Sequence, residues 1–233
     1  MSAGRLLLWR HGRTAHNAGA RLQGQVDIPL DEVGRWQARV AAARLLARYE
    51  PTAIISSDLV RARTTADALA RLVDLPVTVD ARVRERSFGV WEGLTGEEIA
   101  ARWPAEFSAW RAGDDPVGVD AETRVEVAQR VATAITEHAA ALTPADTLVV
   151  VSHGAAISSA VAVLLGVDPR WHGVTGMLNA HWAELVAATR GGSQTAWRLT
   201  GYNLGPTDAS SDWNAGPDAP FESAADAETR DPD

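Results

Sequence analysis

The chain has 233 residues, of which 46% are hydrophobic, enough to bury the core of one large domain, and its lack of cysteine excludes disulfides and thiolate chemistry. The net charge of −8 is concentrated at the C-terminus, where residues 201–233 hold eight acidic side chains and one arginine, and the nearly neutral body speaks against nucleic-acid binding. No stretch reaches the roughly 18 apolar residues that span a bilayer and the N-terminus lacks a signal-peptide pattern, so we expect a soluble cytoplasmic protein with no membrane partner.

The first half of the sequence alternates short apolar runs with helical patterns. Three apolar runs predict strands, at 5–9, at 52–56 and, as a weaker edge strand that begins at a proline, at 76–83. Asp31 is expected to cap a helix over 32–48. Asp58 is expected to cap a second helix, which carries Arg61 in its first turn.

The second half contains two capping-box signatures, in which a threonine precedes a glutamate by three positions. They predict helices that begin at Thr95 with Glu98 and at Thr123 with Glu126. The segment 104–122 between them contains two prolines and two glycines, and we expect it to be an irregular candidate lid. Four further elements are predicted: a strand at 147–152, a helix at 155–165, and an antiparallel pair of strands at 181–186 and 195–202.

This alternation of strands and helices predicts an α/β fold. We expect a three-layer sandwich, with a mostly parallel central sheet covered by helices on both faces. It would form a catalytic domain over 1–205. Residues 206–233 are dominated by Pro, Gly, Ala, Ser and Asp, so they cannot bury enough apolar surface to offset their ordering entropy. We therefore expect an acidic, disordered tail, with Trp213 and Phe221 as its only candidate anchors.

Two histidines and two arginines collect at the predicted ends of strands. They are Arg10 and His11 after the first strand, Arg61 after the second, and His153 after the strand at 147–152. Ligands bind beyond the carboxyl ends of parallel strands, so these side chains should meet at one edge of the sheet. Guanidinium groups bind phosphate bidentately, and a neutral imidazole is an accepted nucleophile. Each residue alone has a simpler structural explanation, but together they predict a phosphoryl-transfer site.

Four ordered segments of the chain resemble the signatures of a known family. They are WRHGRTAHN at 9–17, SSDLVRARTTA at 56–66, RERSFGVWEG at 84–93 and SHG at 152–154. The chain is similar in them to the histidine phosphatase superfamily, the phosphoglycerate-mutase-like group, over about residues 5 to 200. The resemblance implies that group's fold and a phosphohistidine mechanism without a cofactor. We expect no metal, because arginines beside the two strand-end histidines would repel a cation.

The resemblance also implies roles for individual residues. His11 would be the phosphorylated nucleophile, with Arg10, Arg61 and His153 holding the phosphoryl group. Glu85 would be the general acid that protonates the leaving alcohol and then activates water, since an alkoxide needs a proton at neutral pH. Five residues would line the substrate side of the site: Thr14, Asn17, Gln23, Gly24 and Gly154.

Some residues leave alternatives open. Without the motif, an ion pair with Arg84 or Arg86 would be the simpler interpretation of Glu85. Many members of the family have a Gly-Gly-Glu-Ser segment before the long helix, whereas this chain has VGVDAETR, in which Glu122 is the candidate replacement for the acid. Four histidines match no catalytic position: His16, His138, His172 and His181.

The family includes both phosphatases and mutases. Hydrolysis is favoured here, because the segment 104–122 is shorter than the insertion with which mutases close over their site. The segments at 23–27, 177–185 and 196–199 most resemble the actinobacterial glucosyl-3-phosphoglycerate phosphatases. We therefore expect a phosphatase whose partner is a small phosphorylated metabolite, of the sugar phosphate or phosphoglycerate type. A cofactor-dependent phosphoglycerate mutase and a non-catalytic sensor of a phosphorylated ligand are the alternatives, and a homodimer is a further option.

Overall fold

The computed structural model describes residues 2–190, 194–205 and 213, with the backbone alone for 189, 190 and 194–196. Its strands are β1 (Arg5–Arg10), β2 (Ala53–Ser56), β3 (Val77–Val79), β4 (Thr147–Ser152), β5 (Trp182–Arg190) and β6 (Gln194–Leu204). Its α-helices are α1 (Ala15–Ala18), α2 (Glu32–Arg48), α3 (Val60–Val73), α4 (Gly96–Arg102), α5 (Pro104–Ala112), α6 (Arg124–Ala140) and α7 (Gly154–Leu164).

The described strands form one six-stranded sheet in the order β3-β2-β4-β1-β5-β6. The first four strands are mutually parallel, and β5 and β6 add an antiparallel pair beside β1. The mostly parallel α/β fold predicted from the sequence is therefore confirmed, together with its final antiparallel pair.

The central strands are buried on both faces. In β1, Leu6 and Leu8 belong to the core cluster that includes α6 and α7, whereas Leu7 and Trp9 belong to the cluster that includes α2 and α3. Successive side chains of a strand point to opposite faces, so a strand covered on both sides reads as a continuous apolar run. This explains why RLLLW and TLVVVS lack alternation.

A third apolar cluster, which we call the aromatic cap, lies apart from these two core clusters. Its buried members are Phe88, Trp91, Ile99 and Val119, with Trp103, Phe107 and Trp110 packed against them. The prediction of an irregular segment at 104–122 is wrong for its first half, where α5 forms. Pro104 is the first residue of this helix, where the missing N–H has no intrahelical partner to lose.

The helix caps agree with the sequence except at α3. Asp31 accepts a hydrogen bond from the Gly34 N–H at 2.7 Å, and both predicted capping boxes form. Asp58 does not cap α3, whose N-cap is Leu59 without a side-chain hydrogen bond. Its carboxylate instead accepts from Arg84 Nε at 2.7 Å, because a bidentate arginine is a stronger partner than a backbone amide.

The predicted tail at 206–233 lies outside the described residues apart from Trp213, so the prediction of disorder remains untested there, and Phe221 is also outside them. Trp213 is 3% exposed and packs against Trp36 of α2, with ring centroids 5.0 Å apart. Among the helices that the structure describes, none has the length and apolar character needed to cross a bilayer.

Candidate active site

The two strand-end histidines meet because their strands are neighbours. Arg10 of β1 pairs in register with Ser152 of β4, and the chain leaves both strands at the same edge of the sheet. The rings of His11 and His153 lie 5.1 Å apart between centroids, and both side chains are at most 2% exposed. Parallel topology therefore brings together two imidazoles that are distant in sequence.

His11 has one ring nitrogen engaged. Its Nδ1 lies 2.7 Å from the Gly12 carbonyl oxygen, which can only accept, so Nδ1 carries the proton and Nε2 holds a lone pair. Burial lowers the pKa of His11 well below its usual range, and the Arg61 and Arg10 guanidiniums lower that pKa further. The ring is neutral at physiological pH, as a nucleophile must be.

His153 has the opposite tautomer. Arg61 Nε donates to His153 Nδ1 at 3.3 Å, and an arginine can only donate, so the proton of this ring is on Nε2. Burial, followed by the Arg61 charge, lowers the pKa of His153 well below its usual range. The buried Nε2 has no hydrogen-bond partner within the described part of the chain. It is therefore an N–H donor without an acceptor among the described residues, on a side chain that is fully buried.

Arg61 is a fully buried cation fixed from three sides. Besides the bond to His153, its Nη1 donates to the Val26 carbonyl and its Nη2 to the Gly24 carbonyl, both at 2.7 Å. Burial lowers the pKa of Arg61 to about 10, and the nearby Glu85 opposes that shift. Gly24 has a φ of +53°, and a Cβ there would lie 2.0 Å from a Glu92 oxygen, so this turn requires glycine.

Arg10 supplies the second positive group. It donates from Nη1 to the Met177 carbonyl, and its buried Nε has no partner in the part of the chain that the structure describes. Burial lowers the pKa of Arg10, and the charge of Glu85 opposes this effect. Gly154 lies beside this guanidinium, and a Cβ there would be 3.5 Å from Arg10 Nε, an ordinary contact.

Glu85 lies at the N-terminus of α7. Its carboxylate accepts from the N–H groups of Ala155 at 3.2 Å and Ala156 at 2.9 Å, and from the Arg86 N–H at 2.9 Å. Backbone donors at a helix N-terminus favour an anion there. The arginine side chains on either side of Glu85 pair elsewhere, Arg84 with Asp58 and Arg86 with Asp115. The ion-pair interpretation of Glu85 is therefore wrong.

Glu122 holds the Glu85 segment through an arginine that sequence reasoning missed. Its two carboxylate oxygens accept from Arg130 Nε at 2.5 Å and Nη2 at 2.7 Å. Arg130 in turn donates to the backbone carbonyls of Arg82 at 2.7 Å, Arg84 at 2.9 Å and Glu85 at 2.8 Å. Arg130 lies in the middle of α6 and belongs to none of the quoted motifs, so the sequence carried no signal for it.

Three of the predicted substrate-side residues form one hydrogen-bonded group. The Thr14 hydroxyl lies 3.1 Å from Asn17 Oδ1 and 2.9 Å from Gln23 Oε1, and Asn179 Nδ2 also donates to Asn17 Oδ1, at 3.1 Å. With their oxygens engaged, the amide nitrogens of Asn17 and Gln23 have no partner among the residues described. Thr14 is fully buried and lies outside the cavity lining, so it positions the two amides.

These side chains surround one cavity of about 500 Å³. Its lining includes eight of the ten residues predicted from the sequence: Arg10, His11, Asn17, Gln23, Gly24, Arg61, Glu85 and Gly154. The other two, Thr14 and His153, are fully buried and lie outside the lining. Sequence reasoning missed the other side of the cavity, above all Phe88, Trp110 and Arg124. Within the described residues no group of three or more His, Asp or Glu side chains could hold a metal ion.

Comparison with known proteins identifies the family of this chain. The family model described as "Histidine phosphatase superfamily (branch 1)" matches residues 6–200. The chain belongs to the histidine phosphatase superfamily. Like the relatives below, this histidine phosphatase is a hydrolase of phosphate monoesters, which confirms the activity predicted from the sequence.

Two relatives and one solved structure cover most of this histidine phosphatase. The glucosyl-3-phosphoglycerate phosphatase of Mycolicibacterium vanbaalenii is 40% identical over 217 residues, or 87% of this chain and 96% of the relative. The enzyme of the same name from Mycobacterium tuberculosis is 41% identical over 215 residues, with the same two coverages. A structure of mycobacterial glucosyl-3-phosphoglycerate phosphatase with VO3 matches with a TM-score of 0.78 and 40% identity, over 86% of this chain and 99% of that one.

Proposed function

We propose that this histidine phosphatase hydrolyses glucosyl-3-phosphoglycerate, or a sugar or glycerate phosphate of similar build, through a phosphohistidine at His11. The observation that carries the proposal is the hydrogen bond between His11 Nδ1 and the Gly12 carbonyl. It leaves the Nε2 lone pair of a neutral imidazole in a cavity that also holds Arg10, Arg61 and Glu85.

In the first step, His11 Nε2 attacks phosphorus and the bond from phosphorus to the alcohol oxygen breaks. The electron pair of that bond goes to the leaving oxygen, which takes a proton from the Glu85 carboxyl group. Glu85 takes up this proton when the negatively charged phosphate binds beside it, because a nearby like charge disfavours the carboxylate. The two arginines and the Nε2–H of His153 bind the phosphoryl oxygens, and hydrogen bonds within the protein hold these side chains in place.

In the second step, water replaces the alcohol. Glu85, now ionised, takes a proton from the water as it attacks phosphorus, and the bond between phosphorus and His11 Nε2 breaks. Inorganic phosphate leaves, and the imidazole is neutral again. Glu85 serves both steps from one position, because the amides of α7 fix its carboxylate.

The side of the cavity that was not predicted from the sequence is suited to a leaving group that carries both a negative charge and a sugar. Phe88 and Trp110 offer aromatic surface to the apolar face of a hexose. Arg124 offers a guanidinium that has no hydrogen-bond acceptor within the described residues, and its Nε is buried. A carboxylate is the acceptor that an arginine fork matches best. The names of the two mycobacterial relatives point to the same substrate.

A rapid-quench experiment with labelled substrate tests the nucleophile. The wild-type enzyme should give an acid-labile, base-stable phosphoprotein, His11→Ala should give none, and His172→Ala, which removes an exposed histidine, should label normally. Labelled His11→Ala protein would remove His11 from the nucleophile role.

A substrate panel tests the leaving group separately. Glucosyl-3-phosphoglycerate, 3-phosphoglycerate, glucose 6-phosphate and para-nitrophenyl phosphate should differ in kcat/KM, with the first the best. Equal values across the panel would overturn the proposed substrate and leave the phosphohistidine intact. The cytoplasmic location and the homodimer expected from the sequence stay predictions, which cell fractionation and gel filtration would test.

A further inference from the structure

Trp213, far along the chain from the candidate site, is buried beside it. Its indole N–H donates to the Asn179 carbonyl at 2.8 Å, and its own carbonyl accepts from Gln37 Nε2 at 2.8 Å. Its ring contacts Trp36 and His181, with centroids 5.0 and 5.8 Å away. Trp213 does not line the active-site cavity, so any effect on chemistry has to pass through its neighbours.

Both hydrogen-bond partners of the tryptophan hold the turn that carries the nucleophile, residues 10–14. The side-chain oxygen of Gln37 accepts from the Arg13 N–H at 2.8 Å. The side-chain nitrogen of Asn179 lies 3.2 Å from the His11 carbonyl oxygen, to which it donates, and 3.1 Å from Asn17 Oδ1. Trp213 is therefore connected to this turn by two hydrogen-bonded routes, one through Gln37 and one through Asn179.

The position of this turn controls the nucleophile. The His11 ring is oriented by its Nδ1 bond to the Gly12 carbonyl, so a shift of the backbone moves Nε2. A misplacement of about 1 Å at a reacting atom can cost roughly 100-fold in rate. The acceptor of the fully buried Gln37 Nε2 is the backbone carbonyl of Trp213, which substitution keeps but which moves away if loss of the ring releases Trp213 from its site. The buried N–H would then lack a partner and favour rearrangement.

We propose that Trp213 is a positioning residue for phosphoryl transfer. It follows β6 in the chain and lies outside residues 6–200, the region that the family model matches. The proposal rests on His11 as the nucleophile. It assigns a role to a residue of the acidic C-terminal tail, in which the sequence indicated Trp213 only as a candidate anchor. It also accounts for the burial of His181, whose ring packs against this tryptophan.

Three variants of the full chain test the proposal. Trp213→Ala removes the ring and the indole donor, Trp213→Phe keeps an aromatic ring without the donor, and Trp171→Ala is the control at an exposed tryptophan. With para-nitrophenyl phosphate, we expect kcat to fall roughly 10- to 100-fold in Trp213→Ala and about 3- to 10-fold in Trp213→Phe, with KM nearly unchanged, because the nucleophile is misplaced and not removed. Trp171→Ala should match the wild type.

Unfolding curves and circular dichroism recorded under assay conditions separate positioning from stability. A purely structural role would lower the unfolding midpoint but leave kcat per folded molecule unchanged, and that result would overturn the proposal. If Trp213→Ala fails to fold, Trp213→Phe gives the same decision.

A double-mutant cycle with Gln37→Leu adds a second criterion. Because Trp213 and Gln37 act on one turn, the kcat of the double variant should be close to that of the worse single variant. Independent, multiplicative losses would contradict a shared route.

Rapid-quench labelling separates this proposal from the proposed phosphohistidine mechanism, on which it rests. Wild-type protein that forms no phosphohistidine would refute the role of His11 as nucleophile. Equal labelling rates in wild type and Trp213→Ala would refute the positioning role of Trp213 alone.

Discussion

Acid should destabilise this enzyme through its two site histidines. His11 and His153 are buried and neutral, because burial and the adjacent guanidiniums lower the pKa of each ring well below its usual range. In the unfolded chain the same rings bind a proton near pH 6.5. The unfolded state therefore binds more protons than the folded state below that pH. The free energy of unfolding is highest above pH 6.5 and falls as the pH drops toward the folded-state pKa values.

The size of this effect follows from proton linkage. Consider a histidine that stays neutral in the folded state and has a pKa near 6.5 in the unfolded state. Between pH 7.5 and 5.5 it lowers the free energy of unfolding of the protein by about 1.4 kcal/mol. Two such histidines lose about 2.7 kcal/mol over that interval, a large part of the stability of an ordinary domain. Urea unfolding at the two pH values measures it, in buffers without phosphate, because a ligand of the folded state would stabilise it.

Substitution isolates the contribution of one ring. Between pH 7.5 and 5.5, the free energy of unfolding of His153→Gln should fall by about 1.4 kcal/mol less than that of the wild type, because one titrating group is gone. This difference does not depend on the stability of the variant at pH 7.5. His172→Gln, at an exposed position, serves as the control for the removal of a histidine. If His153→Gln and the wild type lost the same free energy, His153 would not be held neutral by the fold, and the tautomers assigned in the site would be wrong.

Two further predictions concern the leaving group. Glu85→Gln should slow turnover of glycerate and sugar esters by about 100- to 10,000-fold and that of para-nitrophenyl phosphate much less, because nitrophenolate leaves without a proton, and equal slowing in steady-state assays would count against a general acid. Arg124→Gln should raise KM roughly tenfold for substrates with a carboxylate and leave KM for glucose 6-phosphate within about twofold, because one charge-assisted hydrogen bond is lost. A similar KM change for both substrate types would argue that Arg124 does not bind the carboxylate.

The sequence was most informative where topology alone determines position. His11 and His153 directly follow adjacent parallel strands, and Arg10 is the last residue of the first of these strands. Recognising the two apolar runs was therefore enough to place the three side chains at one edge. Arg61 followed from the same logic, as the first turn of the helix after the next strand. These residues do meet in the structure. Their catalytic roles remain predictions for the experiments above.

The sequence was least informative where partners come from unrelated segments. The interpretation of Glu85 as an ion pair was wrong, because its partners are backbone amides of α7, which carry no signature of their own. Arg130 and Arg124 were missed for the same reason, since a long polar side chain on a helix has many simpler interpretations. Trp213 was a candidate anchor in the sequence, but nothing there indicated that Gln37 and Asn179 are its hydrogen-bond partners. Only the packing of the helices and of Trp213 reveals what these side chains contact.

The separation of the aromatic cap from the two core clusters bears on how substrate range evolves in this enzyme. In the proposed mechanism the groups that act on phosphorus are held by the sheet edge, whereas Phe88 and Trp110 of the cap line the part of the cavity assigned to the leaving group. Substitutions within the cap can therefore reshape the space beside the phosphate without moving His11 or Arg61. One ancestral chemistry can serve many metabolites in this way, with new specificities drawn from a small group of side chains that the main cores do not constrain.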